Sequence, residues 1–207
     1  MLIIDLLLQH NRDRPNSTAI LDGDCSITYS ELLSQVLETS KALISKGISP
    51  GDRIATIAPP CLGYWVIFLA TTTIGAEWVG LNPRYQRREY KFFIEDACPK
   101  MIFTFSPYDG RDYQKELEVI LTDTDTVEQP EVLVFSNTNF NQSLFGLFMK
   151  REDESVAHQT LESRIQAVGE HNTAAIVYTS GSTGKPKGTM LSHYALLKCC
   201  LLYTSPS

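Results

Sequence analysis

The chain of 207 residues carries 18 Lys and Arg against 24 Asp and Glu, a formal charge of −6, with 43% hydrophobic and 20% charged residues. That mix excludes collagen-like, coiled-coil and wholly disordered chains, and the acidic balance excludes a general basic field for nucleic acid or an anionic membrane, so any anion site must be local. Five cysteines, at 25, 61, 98, 199 and 200, offer neither the C-x-x-C spacing of zinc sites nor an even-numbered disulfide framework, which leads us to expect a reducing, cytoplasmic setting and no metal site.

The N-terminal stretch Met1–Leu8 is apolar, but Asp5 interrupts it and no basic segment precedes it, so it reads as neither signal peptide nor anchor. Thr28-Tyr29-Ser30-Glu31 has the form of a capping box, and apolar residues at 32, 33, 36, 37, 43 and 44 predict an amphipathic helix after it. Gly47 is suited to close that helix, Pro50-Gly51 to turn the chain, and Arg53–Ala58 reads as a strand ended by Pro59-Pro60. A helix around Gly63–Ile74, a strand at Trp78–Leu81, a charged helix near Gln86–Ala97 and strands at Met101–Phe105 and Val132–Phe135 continue the alternation. The apolar run from Tyr64 to Ala70 is far shorter than the ~18 residues of a membrane span, so no membrane span is expected. Parallel neighbours need long crossovers, which helices supply, so the pattern predicts an α/β fold with a mostly parallel sheet and covering helices. From Ser136 to about Glu170 the chain is polar, with a Lys150–Glu154 charge cluster, and reads as surface loop with short helix.

The chemistry concentrates after the strand-like Ala174–Tyr178, in Thr179-Ser180-Gly181-Ser182-Thr183-Gly184-Lys185-Pro186-Lys187-Gly188. Gly181, Gly184 and Gly188 allow a backbone to approach an oxyanion with its N–H groups as donors. Thr179, Ser180, Ser182 and Thr183 add hydroxyls, and Lys185 and Lys187 add positive charge, a set suited to a nucleoside triphosphate. The segment is not a Walker A loop, because Thr179 stands where the first glycine should be and Pro186 follows Lys185.

This segment resembles the signature of the adenylate-forming (AMP-binding) superfamily, which includes acyl-CoA synthetases, luciferases and adenylation domains of nonribosomal peptide synthetases. The resemblance extends through Ile27–Leu32, Gly51–Ala55 and Gly75–Pro83, and Leu81-Asn82-Pro83-Arg84-Tyr85 is more similar to the acyl-CoA synthetase branch. It implies a two-step reaction: a small-molecule carboxylic acid attacks the α-phosphate of ATP to give an acyl-adenylate, with Mg2+ sharing the charge, and CoA then displaces AMP. By the same resemblance Thr179, Ser180, Gly181, Ser182, Thr183, Gly184 and Lys187 bind the nucleotide, with Thr183 and Lys187 nearest the β- and γ-phosphates and acting in catalysis. An aminoacyl-adenylating domain, a luciferase-like oxygenase, and a nucleotide-binding or interaction module without catalysis are the alternatives.

Weaker signals have plainer readings beside them. His193, after the N-cap candidate Ser192, could face the nucleotide or be structural. Arg84, Arg87 and Arg88 could steer a CoA phosphate, or form a solvated face. Tyr64, Trp65 and Phe68 could line an acyl tunnel, or fill the core. The resemblance further implies a protein more than twice as long, with a downstream glutamate motif, a ribose-binding aspartate, a hinge and a second lysine. Residues 1–199 are therefore expected to form the N-terminal part of the AMP-binding domain and to be inactive alone. Residues 200–207 resemble the translation of a sequencing adapter and are expected to be non-native.

Overall fold

The computed structural model describes residues 1–23, 25–124, 128–136, 154–179 and 186–204. Helix α1 spans Ile3–Asp13, strands β1 (Thr18–Asp22) and β2 (Cys25–Thr28) pair antiparallel, and helix α2 spans Tyr29–Ser45. At the start of α2 the Glu31 N–H donates to the Thr28 hydroxyl at 3.2 Å, while the Glu31 carboxylate accepts the Thr28 N–H at 2.8 Å, the reciprocal capping that the sequence predicts. Gly47, at φ +79°, ends the helix, with its own N–H on the Ile44 carbonyl and that of Ile48 on the Leu43 carbonyl. A turn from Ser49 to Asp52 then places Gly51 at φ +82°, a conformation open to glycine.

The remaining chain runs β3 (Arg53–Ile57), α3 (Leu62–Thr73), β4 (Glu77–Leu81), α4 (Arg87–Ala97), β5 (Met101–Phe105), α5 (Tyr113–Thr122), β6 (Glu131–Phe135), α6 (Glu154–Ala167), β7 (Thr173–Thr179), β8 (Lys187–Ser192) and α7 (His193–Thr204). Among the described residues six strands form one sheet in the order β6-β5-β3-β4-β7-β8, parallel except for the final β7–β8 pair. Right-handed crossovers that move in opposite directions along a sheet must pass over opposite faces. The step from β3 to β4 accordingly puts α3 on one face, with α1, α2 and α6, around a core of Val36, Leu43, Ile54, Ile67, Trp78 and Phe103. The steps from β4 to β5 and from β5 to β6 put α4 and α5 on the other, around Val79, Phe93, Ile102, Leu117 and Ile176.

The α/β fold is as expected, with specific corrections. The stretch read as loop with short helix holds the fourteen-residue α6 within its described part, and α6 is not confined to the surface: Leu161 is buried and Ile165 packs on the α2–α3 core. Asn137, Asn139, Asn141 and residues 150–153 of the charge cluster lie outside the described residues. Helices α1 and α5, the β1–β2 hairpin and strand β8 are additions to the predicted elements. No helix among the described residues is long and apolar enough to cross a membrane.

Candidate functional site

Five parallel strands end on one edge of the sheet, so the 82–86 connection and the end of β7 at Thr179 lie on the same side of it. In open α/β sheets ligands bind outside these carboxyl ends, where each loop is free of the helices and strands below it. The described ends of the Gly-, Ser- and Thr-rich segment, Thr179 and Lys187, are at that edge. Its two ends are strand residues: Thr179 closes β7, Lys187 opens β8, and the two are directly opposed as the last rung of the hairpin. Opposed residues stand about 5 Å apart at Cα and share a face. Thr179 and Lys187 thus lie together, exposed, on the face that also carries Val177 and Thr189. Ser180, Gly181, Ser182, Thr183, Gly184 and Lys185 lie outside the described residues.

The opposite face of the same rungs is packed. Tyr178 pairs with Gly188, and a Cβ at Gly188 would meet Tyr178 Cε1 at 3.3 Å and Ile176 Cγ2 at 3.0 Å. Gly188 has no left-handed φ, and its missing side chain accommodates the Tyr178 ring. The ring lies 4.4 Å from that of Phe93, and its hydroxyl donates to Asp96 Oδ2 at 2.6 Å. Burial, and then the hydrogen bond to Asp96, push the Tyr178 phenol well above its ordinary range, so it is a donor throughout the physiological range.

The loop after β4, beside β7 in the sheet, is held by its carbonyls. Arg111 Nη1 donates to Pro83 O at 2.8 Å and Tyr85 O at 3.0 Å, Tyr113 Oη donates to Pro83 O at 2.6 Å, and Tyr90 Oη donates to Asn82 O at 2.8 Å. Glu116 fixes the guanidinium with two bonds, of 3.0 and 2.6 Å, and the arginine holds the Glu116 carboxyl below the usual carboxylate range. Arg87 and Arg88 line a groove with Gln86, Arg111 and Glu116, and Arg87, 62% exposed, reaches Glu116 only at 3.9 Å. That is the geometry of a solvated basic face with a carboxylate partner. Tyr64 and Phe68 pack edge-on against Trp78, each at 5.1 Å, so these two rings belong to the core, while Trp65 stays 43% exposed. Sequence reasoning missed Asp96, Arg111 and Tyr113, whose contacts lie 82, 28 and 30 positions away, and with them Glu116, five residues from Arg111.

His193 lies at the far end of the hairpin. It follows Ser192, which pairs with Thr173, and six extended residues from Lys187 amount to ~20 Å. Ser192 Oγ caps α7 by accepting the Ala195 N–H at 3.2 Å, and His193 Nδ1 accepts the Ile3 N–H at 3.3 Å. The structural reading of this histidine holds. Asp5 and the Met1 amine face it from the N-terminal segment, and burial is the main reason its pKa lies below the ordinary imidazole value. The folded state therefore binds this proton more weakly than the unfolded chain, so stability rises with pH up to about 6.5 and is lost on acidification below that value. In urea titrations between pH 7.5 and 5.5, His193→Gln is expected to flatten this part of the pH dependence; an unaltered slope would exclude the neutral imidazole as its source.

A family model described as AMP-binding enzyme matches residues 7–206. Surfactin synthase subunit 1 of Bacillus subtilis is 28% identical over 93% of this chain and 5% of its own length. The acyl-CoA ligase sidI of Beauveria bassiana is 29% identical over 82% of this chain and 29% of its own. The ATP-bound MatB structure from Rhodopseudomonas palustris is 26% identical, with a TM-score of 0.69 over 97% of this chain and 37% of that one. The chain thus spans well under two thirds of each of these relatives. With a match over nearly all of its length, and the strand residues Thr179 and Lys187 opposed at the two ends of its hydroxyl- and glycine-rich sequence, the chain belongs to the AMP-binding, adenylate-forming enzyme family.

Proposed function

We propose that the full-length protein activates a small carboxylic acid with ATP and transfers the acyl group to the thiol of CoA. A carboxylate is a poor electrophile, so it must first acquire a leaving group. Its oxygen forms a bond to the α-phosphorus, the bond from that phosphorus to the bridging oxygen breaks, and pyrophosphate departs. The thiol then attacks the acyl carbon and AMP leaves with the carboxylate oxygen. The task of the 179–188 segment is to hold the triphosphate tail in line and to neutralise the charge that builds on pyrophosphate. Thr179, Ser180, Gly181, Ser182, Thr183, Gly184 and Lys187 are the proposed contacts, with Lys187 and Thr183 toward the β- and γ-phosphates.

The observation that carries this reading is the opposed pair of Thr179 and Lys187, which presents a hydroxyl and a cation together at the mouth of the loop. Mg2+ is proposed to arrive bound to the nucleotide phosphates. The acceptor and acid class rest on the Leu81–Tyr85 segment and the acyl-CoA ligase relative. Amino-acid activation is the second reading, supported by surfactin synthase subunit 1 at nearly the same identity.

Pyrophosphate exchange into ATP by the full-length protein, run over aliphatic acids, aromatic acids and amino acids, separates the two. Exchange dependent on a non-amino acid, followed by CoA-dependent AMP release, is expected. Exchange with amino acids alone selects the second reading, and the absence of exchange with every acid contradicts both.

A further inference from the structure

The strand pair that ends at Thr179 and Lys187 is tied to α4 by a hydrogen bond, and that bond lies on the face of the hairpin turned away from the proposed ligand. Asp96 is exposed near the C-terminal end of α4, and its Oδ2 accepts the Tyr178 hydroxyl proton at 2.6 Å. Held there, the buried ring packs on Phe93 at 4.4 Å and lies beside Gly188, where a Cβ would come within 3.4 Å of its Cζ. Tyr178 and Gly188 form the rung next to Thr179 and Lys187. A strand pair loses its alignment most easily at an open end, because the last rung has neighbours on one side only. β8 is also the terminal strand of the sheet among the described residues, so the hairpin itself supplies no second partner to fix it.

We propose that Tyr178 is a positioning residue for the nucleotide: clamped by Asp96 and seated on Gly188, it sets the alignment of Thr179 with Lys187. The role rests on the proposed function in that the loop must hold a triphosphate for the alignment to matter. The clamp touches no substrate. It acts through the closing rung, and it couples the position of α4 to that of the loop.

Amide hydrogen exchange in the full-length protein, measured without nucleotide, reads the clamp directly. Asp96→Ala removes the acceptor at an exposed helical position, and Tyr178→Phe removes the donor while keeping the ring. Each is expected to speed exchange about tenfold at those amides of residues 178, 179, 187 and 188 that are bonded within the sheet, the loss of one hydrogen bond to a charged group. The distal rungs, Ala175 with Leu191 and Ile176 with Met190, should keep their rates. In pyrophosphate exchange both variants should raise the KM for ATP about tenfold and change kcat much less. The double variant should be no worse than either single one, and Asp96→Asn, which retains an acceptor, should restore most of the loss.

Unchanged exchange at the loop-proximal rungs, a uniform rise along the hairpin, or additive effects in the double variant would overturn the assignment. So would a local loosening that leaves the KM for ATP untouched in an active enzyme. Should the wild-type protein turn over no ATP while the local exchange pattern appears as described, the proposed function fails and the clamp on the stem stands.

Discussion

Replacing Lys187 by alanine in the full-length protein is expected to slow adenylate formation about 100- to 1000-fold, which corresponds to about 2.7–4 kcal/mol of lost transition-state stabilisation. The argument starts from the strand. Lys187 is the first residue of β8, and its backbone is fixed by the pairing with Thr179 although its side chain is exposed. A lysine on a rigid stem at the carboxyl edge of the sheet can meet charge as it develops, and pyrophosphate gains charge as the bond to the α-phosphorus breaks. The ammonium acts as a point charge, so Lys187→Arg should recover part of the rate by restoring the charge with altered geometry. Single-turnover formation of the adenylate is the appropriate measurement, because it isolates the step in which pyrophosphate leaves. A rate for Lys187→Ala within about threefold of wild type, well short of the expected loss, would remove the lysine from the mechanism.

Gly80→Ala is expected to destabilise the protein by about 2–4 kcal/mol, combining an overpacking term with a broken buried hydrogen bond. The Trp78 indole folds across Gly80 on the face of β4 that meets α3. A Cβ at Gly80 would collide with Trp78 Cη2 and come within 2.6 Å of Cζ3. The ring cannot simply step aside. Its Nε1 donates to the Thr56 hydroxyl at 3.0 Å, and Thr56 is directly opposite Gly80 in the β3–β4 pair. Tyr64 and Phe68 meet the same indole edge-on at 5.1 Å. Moving the ring therefore leaves Trp78 or Thr56 without its buried partner and disturbs the α3 contact together. A fall in the urea midpoint at unchanged slope would report this loss. A midpoint equal to that of wild type would mean that the indole has another low-energy seat.

The parts of the fold that were legible from the residues are those fixed by local chemistry. The Thr28–Glu31 box, the Gly47 stop and the Pro50-Gly51 turn each depend on groups within a few residues of one another, and all occupy their expected places. Helix α5 also carried a local signal that the reading passed over: Asp112 caps it by accepting the Lys115 N–H, and Tyr113, Leu117 and Ile120 recur at helical spacing. Strand β8 carried little. Lys187-Gly188-Thr189-Met190 has no clear alternation of its own, and its identity as a strand comes from its partner β7.

The candidate site divides in the same way. The composition of residues 179–188 pointed to a candidate anion site because glycine, hydroxyl and lysine chemistry is carried by the sequence itself. The residues that hold its surroundings were invisible, since Tyr178 meets Asp96 across 82 positions and Arg111 meets Pro83 across 28. Nothing in a single sequence pairs residues so far apart. Gly188 adds a contact that the motif does not announce: its neighbour across the strand is a tyrosine ring.

The central claim is that the 179–188 segment holds the triphosphate tail of ATP, and calorimetric titration of the full-length protein tests it most directly. MgATP should bind more tightly than AMP, and Lys187→Ala should abolish most of that difference while leaving AMP affinity in place. No heat of MgATP binding, equal affinity for the two nucleotides, or a preference for ATP that survives the substitution would contradict the account.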